Sequence, residues 1–435
     1  MNKSAGLPIL LLVMLAACKP VQKAENKSME NQTPGTVSNT NMQAVNVLQN
    51  ILDQYPEKFD KILKNKEYGV QIIYTQIDRG KNKLAKFTDY NFNLNAEEYY
   101  YPASTVKLPV AILALQKLNE LNIAGLYKNT TMITEAGSEI HTEAYNDPNT
   151  ADGRPTIANY IKKILLVSDN DAFNRLYEFL GQEYINNSLH KMGYTDVQII
   201  HRLEISMTEK ENRYTNPVNF YDKNSKIIYT KPETISNLVY ANRNIKIGKG
   251  FYRKGELINE PFDFSQKNRF TLKSLHSILR SIIFPEIVSS SQRFNLTQED
   301  YSFLRKYMSM RPQESRFPAY DSVNYPDNYV KFLLRGAGKE TVQDGIRIFN
   351  KPGDAYGFLI DAAYIVDFKN NIEFMLSAVI YCNSDGILND NKYDYDTVGL
   401  PFMKERGQAI YQHELKRKKK HSPDFGSIIF DYNNE

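Results

Sequence analysis

Three short clusters in this chain have the residue types and spacing that acyl-transfer chemistry needs. The first is Ser104-Thr-Val-Lys107, preceded by Tyr101-Pro-Ala and followed by Leu108-Pro-Val-Ala-Ile-Leu-Ala-Leu. That apolar run predicts a helix buried on most sides, with Ser104 at its N-terminus. Lys107 then falls one turn on, on the same face, at ~5–6 Å between Cβ atoms. A serine hydroxyl so placed gains a partner base, and N–H dipoles that favour developing negative charge. The lysine acts as a base only when neutral. Lowering its pKa from ~10.4 to ~7 disfavours the charged form by ~4 kcal/mol. Burial of the helix and a nearby second cation would do this. The spacing alone selects little: Ser188-Leu-His-Lys191 also fits it and has no assigned role. A serine at a helix start is, by itself, an N-cap.

The second cluster is Ser168-Asp169-Asn170. It follows the apolar Ile157-Ala-Asn-Tyr-Ile-Lys-Lys-Ile-Leu-Leu-Val and precedes a helix from Ala172 that Gly181 closes. It reads as a turn between helices and is also a plain capping device. The third, Lys351-Pro352-Gly353, reads as the end of a strand opening a hairpin.

Together, in this order and with these flanks, the clusters resemble the penicillin-recognising serine hydrolases, specifically the class A β-lactamase-like branch. Matching flanks are Thr156-Ile-Ala-Asn-Tyr, Asn170-Asp-Ala-Phe-Asn and Gly193-Tyr-Thr-Asp, the last lying before Arg202-Leu203-Glu204. The resemblance covers roughly residues 44–415 and leaves 209–268 as a long unmatched insertion. It implies Ser104 as the acylated nucleophile and Lys107 as its base partner. Ser168 would relay a proton to the leaving nitrogen, and Asn170 would hydrogen-bond the substrate amide or Lys107. Lys351 and Gly353 would lie on the substrate-binding strand, with Lys351 attracting a substrate carboxylate. The backbone N–H groups of Ser104 and Asp354 would form the oxyanion hole. Glu204, two residues beyond Arg202, would activate the water that frees the acyl-enzyme. The implied reaction is opening of a β-lactam amide, with no cofactor and no metal. Cell-wall peptides, another amide or ester, or a non-catalytic wall-binding role are the alternatives, since a fold does not determine its substrate.

Two departures alter that expectation. Thr208 stands where the family has an Asn that helps hold the deacylating water, so slow turnover is expected. Pro352 stands where the family has Thr or Ser, and Asp354 adds a negative charge beside Lys351. Both weaken attraction for a carboxylate.

Positioning these clusters requires a sheet and several helices. Spaced apolar residues from Ala44 to about Glu67 predict helix. Strands are predicted over Tyr68–Ile77 and Leu84–Phe92, joined as a hairpin. Three more apolar, β-branched runs follow at Gly345–Phe349, Gly357–Phe368 and Ile372–Tyr381, with Lys369-Asn370-Asn371 as a turn. The segment between reads mainly as helix, and Pro401–Leu415 as a closing helix. The predicted fold is a two-lobed α/β (α+β) architecture. Its antiparallel sheet of about five strands comes from both chain ends and is covered by helices, beside an all-helical lobe.

Composition closes off other classes. Of 435 residues, 42% are hydrophobic and 24% charged, which excludes wholesale disorder. A net charge of +4 is too small for a phosphate-binding surface, so nucleic acid is not an expected partner. Two cysteines, Cys18 and Cys382, exclude a disulfide scaffold and a cysteine zinc site. The six histidines lack ligand spacing. Cys382 lies in an apolar run and reads as an inert core thiol. Lys3 and the apolar Leu7–Ala17 read as a secretory signal, too short to span a membrane. Leu15-Ala-Ala-Cys18 resembles the bacterial lipobox, which implies a lipidated Cys18 and a protein held to an envelope membrane, facing the periplasm or cell surface. Residues 1–18 are thus an address and 19–43 a disordered tether. Residues 416–435 are a basic tail, with Lys416–Lys420 as a solvated helix end. A monomer is expected.

Overall fold

The apolar runs near the two chain ends become neighbours. A computed structural model describes residues 46–137, 141–340, 342 and 345–433. The segment ending at Cys18 and the 19–43 tether lie outside the described residues. Strands β1 (Gln71–Arg79), β2 (Ala85–Phe92), β3 (Ile346–Ala355), β4 (Phe358–Asp367) and β5 (Ile372–Tyr381) form one antiparallel sheet. Its order is β3-β4-β5-β1-β2, with Tyr74 opposite Leu376 and Lys351 opposite Ala362. The architecture is therefore the expected mixed α/β one.

Six longer helices complete it: α1 (Lys107–Leu121), α2 (Ile157–Val167), α3 (Asn170–Lys191), α4 (Leu272–Ile283), α5 (Gln298–Ser309) and α6 (Leu400–Lys416). The helices Val47–Leu52 and Pro56–Leu63 join α6 on one face of the sheet. There Phe374, Leu376, Ala378 and Ile380 pack in one cluster with Phe59, Phe402 and Ile410. Met375 and Val379 belong to the opposite core, with Leu275 and Ile278 of α4. Coverage on both faces explains why β4 and β5 read as continuous apolar runs rather than alternating ones. Helix α1 runs through the helical lobe with every residue from Lys107 to Gln116 buried. Gly181 breaks α3 with a φ of 74°, a left-handed value that glycine adopts without strain.

Two local expectations are corrected, at Lys351–Gly353 and at the basic run, and the 209–268 insertion gains an outline. Lys351-Pro-Gly353 does not end its strand; β3 continues to Ala355, and the turn falls at Tyr356-Gly357, both at positive φ. Because β3 is an edge strand, the missing Pro352 N–H is tolerated. Residues 209–268 are ordered as one short helix and several strands of two to five residues. One of these, Gly250–Arg253, pairs in parallel with the distant Ile387–Leu388. The basic run is only partly solvated. Arg417 pairs with Asp78 and Glu414, Lys419 pairs with Glu414, and Ile428 is buried farther on.

Cys382 is fully buried, and burial pushes its thiol up to about 12, so it is inert as expected. Arg406 is the anomaly of α6. It is 0% exposed, lies over the Phe402 ring, and no described group accepts from any of its three nitrogens. A charge buried without partners opposes folding. Arg406→Met is expected to stabilise the protein by ~1–3 kcal/mol in denaturant unfolding. A loss of stability would show that a solvent molecule or ion holds the guanidinium.

Candidate active site

Ser104 is brought to the site by a tight turn rather than by the helix proper. Ala103–Val106 form a 3-10 turn that leads directly into α1, and Ala103 has a φ of 47°. The Ser104 hydroxyl caps no helix, so the capping role is not realised. Ser104 is half-buried. Lys107, one turn on, is 0% exposed.

The interhelical turn delivers the next two groups. Ser168 ends α2 in the left-handed conformation (φ 62°), and Asp169 caps α3 by accepting from the Ala172 N–H at 2.7 Å. That reversal aims Ser168 and Asn170 back at α1. Lys107 Nζ donates to the Ser168 carbonyl, approaches Ser168 Oγ at 3.3 Å, and donates to Asn170 Oδ1 at 2.6 Å. Asn170 Nδ2 in turn donates to Glu204 Oε2 at 2.6 Å. From the sheet side, Lys351 Nζ donates to Ser168 Oγ at 2.9 Å and to the Pro352 carbonyl at 2.8 Å. One hydroxyl thus touches both buried amines. No hydrogen bond joins Ser104 to Lys107.

Strand β3 passes so close to the Ser104 turn that Gly353 has no room for a side chain. A Cβ there would lie 2.7 Å from the Ser104 nitrogen and 2.9 Å from that of Thr105. The strand therefore carries Asp354 past the Ser104 amide, as an oxyanion site of those two N–H groups would require.

The electrostatics suit a neutral-amine base. Burial drives the Lys107 pKa well down, and the nearby Lys351 ammonium lowers it further against Asp169, Asp354 and Glu204. Lys351 is 1% exposed, and burial lowers it to about 7 against Asp361 and Asp354. Below it, Lys331 donates to Asn350 at 2.7 Å and Asn350 to Asp361 at 2.9 Å, a buried polar network that seats the strand. Asp354 is exposed to the cleft but enclosed by surrounding protein. That enclosure raises its pKa, opposed by Lys351 and Lys107.

The loop bearing Glu204 is anchored from beneath. Buried Arg202 pairs with Glu178 of α3 at 2.5 Å, and Asn174 both donates to and accepts from the Leu203 backbone at 3.0 Å. Glu204 is exposed, at a φ of 63°. Thr208 has its hydroxyl occupied as the cap of Glu209–Arg213, where it accepts from the Glu211 N–H. Two cavities of about 360 Å³ each share Ser104, Asn170 and Asp354 in their walls. Sequence reasoning missed their aromatic lining, Tyr101, Tyr356 and Tyr393. Adjacency of Tyr101 and Tyr356 to the motifs was the only available signal among 30 tyrosines.

A hydroxyl on the turn that leads into a buried helix, a buried lysine one turn on with a lowered pKa, a second hydroxyl between two amines and an edge strand beside them make the layout of a β-lactamase-like serine hydrolase. Residues 55–413 match the profile of the Beta-lactamase enzyme family, and the chain belongs to that family. No curated protein matches the chain. Similar solved structures include the class A β-lactamase from Clostridium kluyveri DSM 555, at 15% identity over 83% of this chain and 98% of that one, with a TM-score of 0.45. A β-lactamase from Sphaerobacter thermophilus DSM 20745 is 13% identical over 84% and 97%, with a TM-score of 0.45. One from Burkholderia phymatum is 13% identical over 83% and 98%, with a TM-score of 0.46.

Proposed function

We propose that this protein is a serine acyl-hydrolase that opens β-lactam amides through a Ser104 ester, anchored to a bacterial envelope membrane by a lipid on Cys18. The observation that carries the catalytic part is the convergence of Lys107 and Lys351, both buried, on Ser168 beside the open Ser104 hydroxyl. In this reading neutral Lys107 takes the Ser104 proton, directly or through Ser168, as the Oγ–C bond forms. The oxyanion is held by the Ser104 and Asp354 amides. The C–N bond then breaks, and Ser168 passes the proton to the leaving nitrogen. Glu204 takes a proton from a water that adds to the ester, and Ser104 regains its hydrogen as the acid leaves.

Thr208 has its hydroxyl committed to a cap, which supports slow deacylation. Exposed Asp354 beside Lys351 favours a second reading, in which the same machinery cleaves another amide or ester, such as a cell-wall peptide.

The deciding experiment incubates purified protein with a chromogenic cephalosporin and follows intact mass over time. A transient adduct with product release supports the β-lactamase reading, and a persistent adduct supports a penicillin-binding or slow enzyme. Ser104→Ala must form neither. An adduct that survives this substitution, or none on wild-type protein with any acyl reporter, would overturn the assignment of Ser104.

A further inference from the structure

The walls of the cleft carry a charge pattern that the catalytic reading does not use. The cavity containing Ser104, Glu204 and Asp354 is lined by no Lys or Arg. The adjoining cavity again has none, and adds Asp396. The site's two cations are beneath this surface: Lys107 and Lys351 are 0% and 1% exposed, and their nitrogens are turned onto Ser168, Asn170 and the Pro352 carbonyl. Asp354 is exposed, lines both cavities, and its carboxylate accepts no hydrogen bond from any described residue. Tyrosines line the cavities it borders: Tyr101, Tyr356 and Tyr393 in one and Tyr329 and Tyr395 in the other.

A carboxylate without a hydrogen-bond partner, set in a tyrosine-lined cleft, is the chemistry that holds ammonium groups, by charge and, where a ring edge or face is offered, by aromatic contact. An anionic ligand would meet Glu204, Asp354 and Asp396 at the wall, with the Lys107 and Lys351 amines lying behind it and their hydrogens committed to Ser168, Asn170 and the Pro352 carbonyl. We propose that the cleft selects acyl compounds carrying a protonated amine or quaternary ammonium group, and that Asp354 is the residue that reads this charge. The inference rests on the serine-hydrolase reading for the reaction, but the binding preference stands apart from it. The preference concerns the group set beside Asp354: a carboxylate there is disfavoured and a neutral group is intermediate, so the inference deepens the second reading, another amide or ester, rather than the opening of a carboxylate-bearing β-lactam.

Binding is therefore measured on Ser104→Ala protein, which needs no chemistry. The probes are three amides of equal length ending in trimethylammonium, tert-butyl or carboxylate, titrated by calorimetry at low and high salt. The expected order of affinity is cation, neutral, anion, with at least a tenfold gap between cation and neutral that narrows as salt rises. Asp354→Asn should close most of that gap. Glu204→Gln should narrow it less, and unfolding midpoints should report that both variants remain folded. Equal affinity for the three probes, an anion preference, or a gap untouched by Asp354→Asn would overturn the proposal. The matching p-nitrophenyl esters test the reaction separately. If Ser104→Ala hydrolyses the neutral ester as fast as wild type, the nucleophile assignment fails while the binding result still decides the charge preference.

Discussion

Lys107→Met is expected to lower the rate of Ser104 acylation by at least ~10³-fold, within the range that one positioned general base supplies. Methionine nearly fills the lysine's volume, so the buried helix keeps its packing and the loss reports chemistry. Intact-mass kinetics with an acyl reporter measure it directly. The wild-type pH profile carries the same signature. Only neutral Lys107 accepts a proton, and burial with the Lys351 charge holds its pKa well below 10.5. Acylation should therefore fall as pH drops through that lowered pKa, and Lys107→Met should remove this acid limb. Stability follows with a definite sign. Between the lowered folded pKa and the ordinary unfolded one, the unfolded chain binds more protons, so stability rises with pH. Lys351, at about 7, adds to this rise over pH ~7–10.5. Unchanged acylation in Lys107→Met would remove the amine from the mechanism.

Some of this was readable from the chain alone, for physical reasons that differ by element. Ile372–Tyr381 was delimited to the residue because a strand covered on both faces must be apolar throughout, and turn residues bound it. Lys107 was legible because its helix is apolar nearly all round, which buries it; Ser104 lies on the turn just before, so the helix start was readable but the turn that presents the hydroxyl was not. Lys351–Gly353 was misplaced at a strand end. Pro and Gly are local turn signals, but here an edge strand tolerates the proline and a neighbouring backbone demands the glycine. Residues 209–268 showed no period because their strands are too short to display one and pair with distant partners such as Ile387–Leu388. The tyrosine lining was invisible for a compositional reason: in a chain this rich in tyrosine, no single one stands out until folding gathers them.

Gly353→Ala tests the contact that no local pattern discloses. The new methyl carbon would sit 2.7 Å from the Ser104 nitrogen and 2.9 Å from that of Thr105, so the strand or the nucleophile turn must move. Both contacts are backbone atoms, which cannot swing aside as a side chain would. Relieving the overlap shifts Ser104 relative to Lys107, Ser168 and the Asp354 amide together. A displacement near 1 Å costs roughly 10²-fold in a positioned reaction, so acylation should fall at least that far. Overpacking of this kind also destabilises by ~1–3 kcal/mol. Gly345→Ala, just before the same strand, is the control. Its added carbon would meet nothing nearer than 3.6 Å, so acylation should be unchanged and stability should move by no more than ~0.5 kcal/mol. If the two variants acylate alike, close apposition of strand and turn does not set the geometry of Ser104.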